Sequence, residues 1–148
     1  MLRGNQPAKI DDKGRLKIPN GFRAAIQDTH GRALFVTSLT GESVRLYPMP
    51  VWEAIEQQIA RMGPIHPSRQ RFLARVNFFG QVTEFDQQGR VVIPQRLRDT
   101  ARITGDVDVL GQQDHLEVWN HDRFVARMES DPFTDEDARA LAELWPPG

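Results

Sequence analysis

The sequence predicts an α+β fold in which two copies of a β-hairpin-plus-helix module interlock. They close one small β-barrel about a pseudo-two-fold axis, with further helices at the periphery. Three observations predict it. First, the chain repeats itself: Ile10-Asp11-Asp12-Lys13-Gly14-Arg15-Leu16-Lys17-Ile18-Pro19-Asn20-Gly21-Phe22-Arg23 aligns with the segment from Phe85 to Arg98 at an offset of 75, with six of 14 positions identical. Second, each copy has a glycine, Gly14 or Gly89, where a three-residue hairpin loop needs positive φ. Third, a module of this size exposes strand edges that it cannot cover alone, so two copies in one chain gain by covering each other.

Each element follows from local chemistry. Ala8 to Asp11 is extended, Asp12-Lys13-Gly14 turns the chain, and Arg15 to Ile18 returns with Leu16 and Ile18 on one face and Arg15 and Lys17 on the other. Pro19 ends the strand and suits the first turn of a short helix, Asn20 to Ile26, with Phe22 and Ile26 inward. A second hairpin pairs Leu34–Val36 with Val44–Tyr47, and Pro50 opens a helix striped by Trp52, Ile55 and Ile59. Gly63-Pro64-Ile65-His66-Pro67 breaks it, and Ser68 to Phe79 links to the second copy. There the turn is Gln87-Gln88-Gly89, Pro94 precedes a helix over Gln95 to Ala101, Val107–Leu110 and His115–Trp119 are strands, and His121 to Met128 is a helix. The tail from Glu129, with six acidic residues and one arginine, reads as a short surface helix. The modules occupy 5–50 and 79–122, with linking helices over 51–78 and C-terminal helices and an acidic tail over 123–148.

Composition bounds the function. With 148 residues, 39% hydrophobic and 26% charged, the chain is an ordinary globular mixture able to bury a core. It has no cysteine, which excludes disulfides and thiolate metal sites. No apolar run reaches the roughly 20 residues of a membrane span, and Met1 to Gln6 lacks the apolar centre of a signal peptide, so a cytoplasmic location is expected. The net charge of −1 divides unevenly: residues 1–76 carry +6 and residues 77–148 carry −7. A polyanion is steered toward the first half. The four histidines form no HExxH pattern, and no GxGxxG, Walker or GxSxG motif occurs. The chain is therefore expected to be no enzyme, with no cofactor, metal or small-molecule substrate.

The doubled pattern Asp-x-x-Gly-Arg-φ-x-Ile-Pro-x-x-φ-Arg, with φ apolar, resembles the swapped-hairpin module of the AbrB/SpoVT/MazE type. Two such modules, with Arg3-Gly4 at the start and Leu46-Tyr47-Pro48-Met49-Pro50-Val51-Trp52 between them, resemble the MraZ family over about residues 1–128. The resemblance implies a transcriptional regulator, expected to be a repressor, of the division and cell-wall gene cluster. It implies closed rings on repeated promoter boxes and association with the nucleoid. The family signature Asp-x-x-x-Arg falls on Asp11 with Arg15 and on Asp86 with Arg90. Copy two departs at its turn, where Gln88 replaces Lys13.

A two-stranded ribbon fits the major groove of DNA, arginine can pair with guanine through two hydrogen bonds, and lysine suits phosphates. Arg3, Lys9, Lys13, Arg15 and Lys17 crowd one hairpin and its approach strand. Arg3, Lys13, Arg15, Lys17 and Arg90 are the expected contacts to double-stranded DNA. Asp11, Gly14, Pro19, Asp86, Gly89 and Pro94 are the expected structural signature. Arg15 has a second available role, bracing its hairpin by pairing with Asp11, and both roles can hold together. Arg23 and Arg98 read as structural. The rival function is a protein-binding module of the same fold, an antitoxin or assembly scaffold.

Overall fold

A computed structural model describes residues 1–145; the last three residues of the segment 123–148 lie outside the described residues. In chain order the elements are β1 (Leu2–Ile10), β2 (Arg15–Lys17), α1 (Asn20–His30), β3 (Ala33–Thr37), β4 (Val44–Pro48), α2 (Met49–Ala60), α3 (Pro67–Phe78), β5 (Gln81–Glu84), β6 (Arg90–Val92), α4 (Gln95–Ala101), β7 (Gly105–Gln113), β8 (Leu116–Asn120), α5 (His121–Ser130) and α6 (Asp135–Leu141). The eight strands form one antiparallel sheet in the order β5-β3-β4-β8-β7-β1-β2-β6. Its two edge strands, β5 and β6, are consecutive in the chain and joined by a tight turn, so the sheet curls into a nearly closed barrel.

The pairing is swapped between copies. The first strand of module one, β1, pairs with β7 of module two, and the first strand of module two, β5, pairs with β3 of module one. The remaining two contacts between copies lie on the pseudo-axis. In β2/β6, Arg15 faces Val92, Leu16 faces Val91 and Lys17 faces Arg90, so Leu16 meets its own repeat equivalent at the centre, and Arg15 and Lys17 each meet the equivalent of the other. In β4/β8 the centre is Arg45 opposite Glu117. The Ile18 N–H donates to the Gly89 carbonyl (3.1 Å), and the Ile93 N–H donates to the Gly14 carbonyl (2.8 Å), so each hairpin is closed by the other.

One core serves both copies. Leu16, Ile18, Leu34, Val36, Val44 and Leu46 from the first are fully buried with Phe85, Val91, Ile93, Leu97, Leu116 and Val118 from the second. Each buried aliphatic side chain stabilises the fold by about 1.5–3 kcal/mol relative to exposure, and neither module could bury these residues alone. A second cluster lies between the second hairpin of module one and the linking helices. There α2 and α3 cover the outer face of β3 and β4, with Phe35, Tyr47, Trp52 and Val76 buried and Phe35 stacked on Trp52 at 4.7 Å.

The structure moves several predicted boundaries. β1 starts at Leu2 rather than Ala8, because all nine of its residues pair with β7, a partner that the polar run Arg3 to Gln6 does not announce. α1 runs on past Ile26 to His30. Pro19 and Pro94 stand just before their helices rather than in the first turn; their carbonyls accept the first helical hydrogen bonds, from Arg23 (3.0 Å) and Arg98 (2.9 Å). The linking helix begins at Pro67, one residue early, which suits proline at a first helical position. Among the described residues, no helix is long and apolar enough to cross a membrane.

Candidate nucleic-acid interface

The site is built on two turns with the same construction. In the first, Asp11 Oδ1 accepts the N–H groups of Lys13 (3.0 Å) and Arg15 (2.9 Å), while Oδ2 accepts Arg15 Nε (2.7 Å). In the second, Asp86 Oδ1 accepts the N–H groups of Gln88 and Arg90 (both 2.8 Å), and Oδ2 accepts Arg90 Nε (2.8 Å). An aspartate can do this because its short side chain reaches back to the backbone of its own turn. The Arg15 N–H first, and then its guanidinium, hold the Asp11 carboxyl below its usual value; Asp86 is held down in the same order by Arg90. Gly14 and Gly89 take φ of +80° and +77°, as the three-residue loop requires.

Each turn is also covered by an arginine of the other copy. Space for a side chain at Gly14 is taken by the Arg98 guanidinium, 2.7 Å from where a Cβ would sit. Arg23 takes the equivalent space at Gly89, at 2.8 Å. Arg98 Nε is fixed by the Ile93 carbonyl (2.9 Å), and Arg23 Nε by Gln27 Oε1 (2.9 Å). These two arginines, present in both copies, therefore lock the swapped hairpins together. The repeat made them visible as a pair, but not the turn each one covers.

Between the turns lies the β2/β6 ribbon. Leu16 and Val91 point into the core, so the alternate residues Arg15, Lys17, Arg90 and Val92 share the outer face. Lys17 and Arg90 are direct cross-strand neighbours although 73 positions apart in sequence. Lys17 Nζ donates to the Gln88 carbonyl in the second turn. Arg15 and Arg90 hold their aspartates through Nε and keep 35% and 26% of their side chains exposed, so the outer nitrogens of each guanidinium remain available. Because Asp11 and Asp86 offset the arginine charges locally, the uncompensated cations are Lys13, which has no ion pair among the described residues, and Lys17.

The ribbon does not gather every predicted residue. Arg3 faces Gln112 at the far end of β1, roughly 25 Å from the turn at about 3.3 Å per residue. Lys9 lies within 3.8 Å of Asp106 at the surface. The ribbon does include Val92, 42% exposed, at the position where copy one has Lys17. Among the described residues, no three acidic or histidine side chains are grouped to hold a metal ion.

Two hairpins exchanged about a pseudo-axis, each closed by an Asp–Arg clasp, and one shared core define a double swapped-hairpin barrel held in a single chain. The model of the family described as "MraZ protein, putative antitoxin-like" matches residues 1–75 and 80–144. The chain belongs to the MraZ family. It is 48% identical to the transcriptional regulator MraZ of Acidobacterium capsulatum over 97% of this chain and 99% of that protein. It is 46% identical to the transcriptional regulator MraZ of Koribacter versatilis over the same shares, and 35% identical to that of Syntrophobacter fumaroxidans over 88% of this chain and 86% of that one. The role in those names is regulatory, not enzymatic.

Proposed function

We propose that this protein is a DNA-binding transcriptional regulator that meets duplex DNA with the outer face of the β2/β6 ribbon and the adjoining first turn. The observation that carries this reading is the meeting of Arg15, Lys17 and Arg90 on one exposed two-stranded face, with Lys13 beside it. A ribbon of this width enters a major groove. There, Arg15 and Arg90, pre-aimed by their aspartates, present guanidinium edges to bases or phosphates, while Lys13 and Lys17 supply the salt-dependent phosphate contacts. Arg3 is a separate, distant contact.

The names of the relatives and the family resemblance support the wider reading. The protein represses the division and cell-wall gene cluster by binding repeated promoter boxes, and it works in the cytoplasm on the nucleoid. One ribbon covers little DNA and binds weakly at physiological salt. A ring of copies facing tandem boxes gains by effective concentration. Rings need a head-to-tail interface, and the +6 and −7 halves offer complementary charge for one.

The test is binding to the promoter region of the chain's own gene cluster at two salt concentrations. Arg15→Ala is expected to lose about 1–3 kcal/mol, roughly five- to 150-fold, and to relax sequence preference. Lys13→Ala is expected to weaken binding on all sequences and to flatten the salt dependence by about one unit of slope. A folded Arg15→Ala protein that binds like wild type removes the ribbon assignment. If no variant and no wild type binds promoter DNA, the protein-partner reading replaces this one.

A further inference from the structure

Pseudo-symmetry exposes an element without a partner. In module one, α2 follows β4 and α3 folds back over it, with Phe72 stacked on Trp52 at 6.0 Å and Val76 buried. In module two, α5 follows β8 and sets Phe124 beside Trp119 at 5.1 Å, but α6, the next helix, covers nothing: its residues are exposed along its whole length. Yet α6 is amphipathic. Ala138 and Leu141, continued by Ala142 and Trp145 in the turn that follows, recur at helical spacing on one side, and Asp135, Glu136 and Arg139, continued by Glu143, lie on the other. Its start is self-supporting, because the Thr134 hydroxyl accepts the Asp137 N–H (3.1 Å) and the Asp137 carboxylate accepts the Thr134 N–H (2.8 Å). A preformed helix ending on an exposed Leu141, followed by Trp145 at 73% exposure, is built to dock.

A matching surface lies on the other half of the chain. Pro50, Val51, Ala54, Ile55, Gln58 and Ile59 of α2 line a largely apolar groove of about 460 Å³, with His30 and Asp114 at its polar margin. Beyond it, residues 57–83 contain four arginines and no acidic residue, whereas residues 129–145 contain six acidic residues and one arginine. Arg61, Arg71 and Arg75 are exposed and have no ion pair among the described residues; the same is true of Asp135, Glu136 and Glu143.

We infer that α6 of one copy, with the turn that follows it, docks in the α2 groove of a second copy, with Leu141 and Trp145 as apolar anchors and its acidic face toward the arginines of α3 and the α2–α3 elbow. Spacings of three and four residues are how a helix fills such a groove. Helix and groove are different surfaces of one chain, so the contact is head-to-tail and can repeat. The inference deepens the ring reading above and rests on it.

The experiment is sedimentation of the full chain across a concentration range, comparing wild type, the tail variant Leu141→Ala/Trp145→Ala and the groove variant Ala54→Glu. Both variants alter exposed residues, and unchanged melting temperatures check that they fold. Wild type is expected to assemble, and each variant to associate at least tenfold more weakly. Mixing the two should give a one-to-one pair that grows no further, since only one functional helix and one functional groove remain. Variants that assemble like wild type, or a mixture that does not pair, overturn the inference while the ring reading stands. A wild type that stays monomeric overturns both.

Discussion

The two hairpin turns have nearly the same geometry and different chemistry. Both bind their aspartate through the same three donors at 2.7–3.0 Å. Both carry a glycine at positive φ under an arginine of the opposite copy. The residues identical in the repeat are those that make this backbone. Inward, the differences keep apolar character, as at Leu16 against Val91, whereas the outward differences, Lys13 against Gln88 and Lys17 against Val92, change charge. Identity in the turns therefore marks what the barrel needs, and a change of charge on the outer face marks where the two copies can take different work.

The largest expected effect tests whether the halves share one core. Leu16→Ala should cost about 2–5 kcal/mol. Val91→Ala, across the axis, should cost less, because two carbons rather than three leave at about 0.8 kcal/mol each before cavity effects. Both should move a single urea transition; two separate transitions would break the claim. Next in size is the glycine pair. Gly14→Ala and Gly89→Ala should each cost about 1–2 kcal/mol for a side chain in the left-handed region, and Arg98→Ala should relieve the crowding at Gly14 but not that backbone cost. Thermal melts of the single and paired variants separate these.

Smaller still is the exchange of the outward residues. Val92→Lys should give copy two the cation of copy one, tightening DNA binding and steepening its salt dependence by about 0.9, and Lys17→Val should do the reverse. Equal binding by all three proteins would remove the lysine from the interface. The smallest effect is that of acid. Asp11 and Asp86 have folded values depressed below the usual 3.8. Their contribution is thus complete above that value and is lost as pH falls through the lower folded one. Amide NMR of Lys13, Arg15, Gln88 and Arg90 should show both turns loosening together, and Asp11→Asn should abolish the acid response of the first alone.

Much of this was legible in the sequence, because the repeat places the same turn twice and a lone module has nowhere to hide its edges. The order of pairing was less legible. Nothing in Arg3 to Gln6 shows that β1 finds nine partners in β7, since both strands owe that ladder to backbone hydrogen bonds rather than to alternating side chains. Proximity in sequence also misplaced Arg3, which belongs to the hairpin's strand but not to its ribbon. Conversely, Lys17 and Arg90 meet only because the copies swap, which no local pattern encodes.

The β4/β8 centre has a consequence for descent. A position on a symmetry axis faces itself, so a dimer of identical modules would set arginine against arginine or glutamate against glutamate there, a destabilising arrangement. Here Arg45 faces Glu117. Only after duplication can the two sides of that axis mutate independently, and here both are held in one chain. Once they carry opposite signs, neither half can return to life as a homodimer without meeting its own charge.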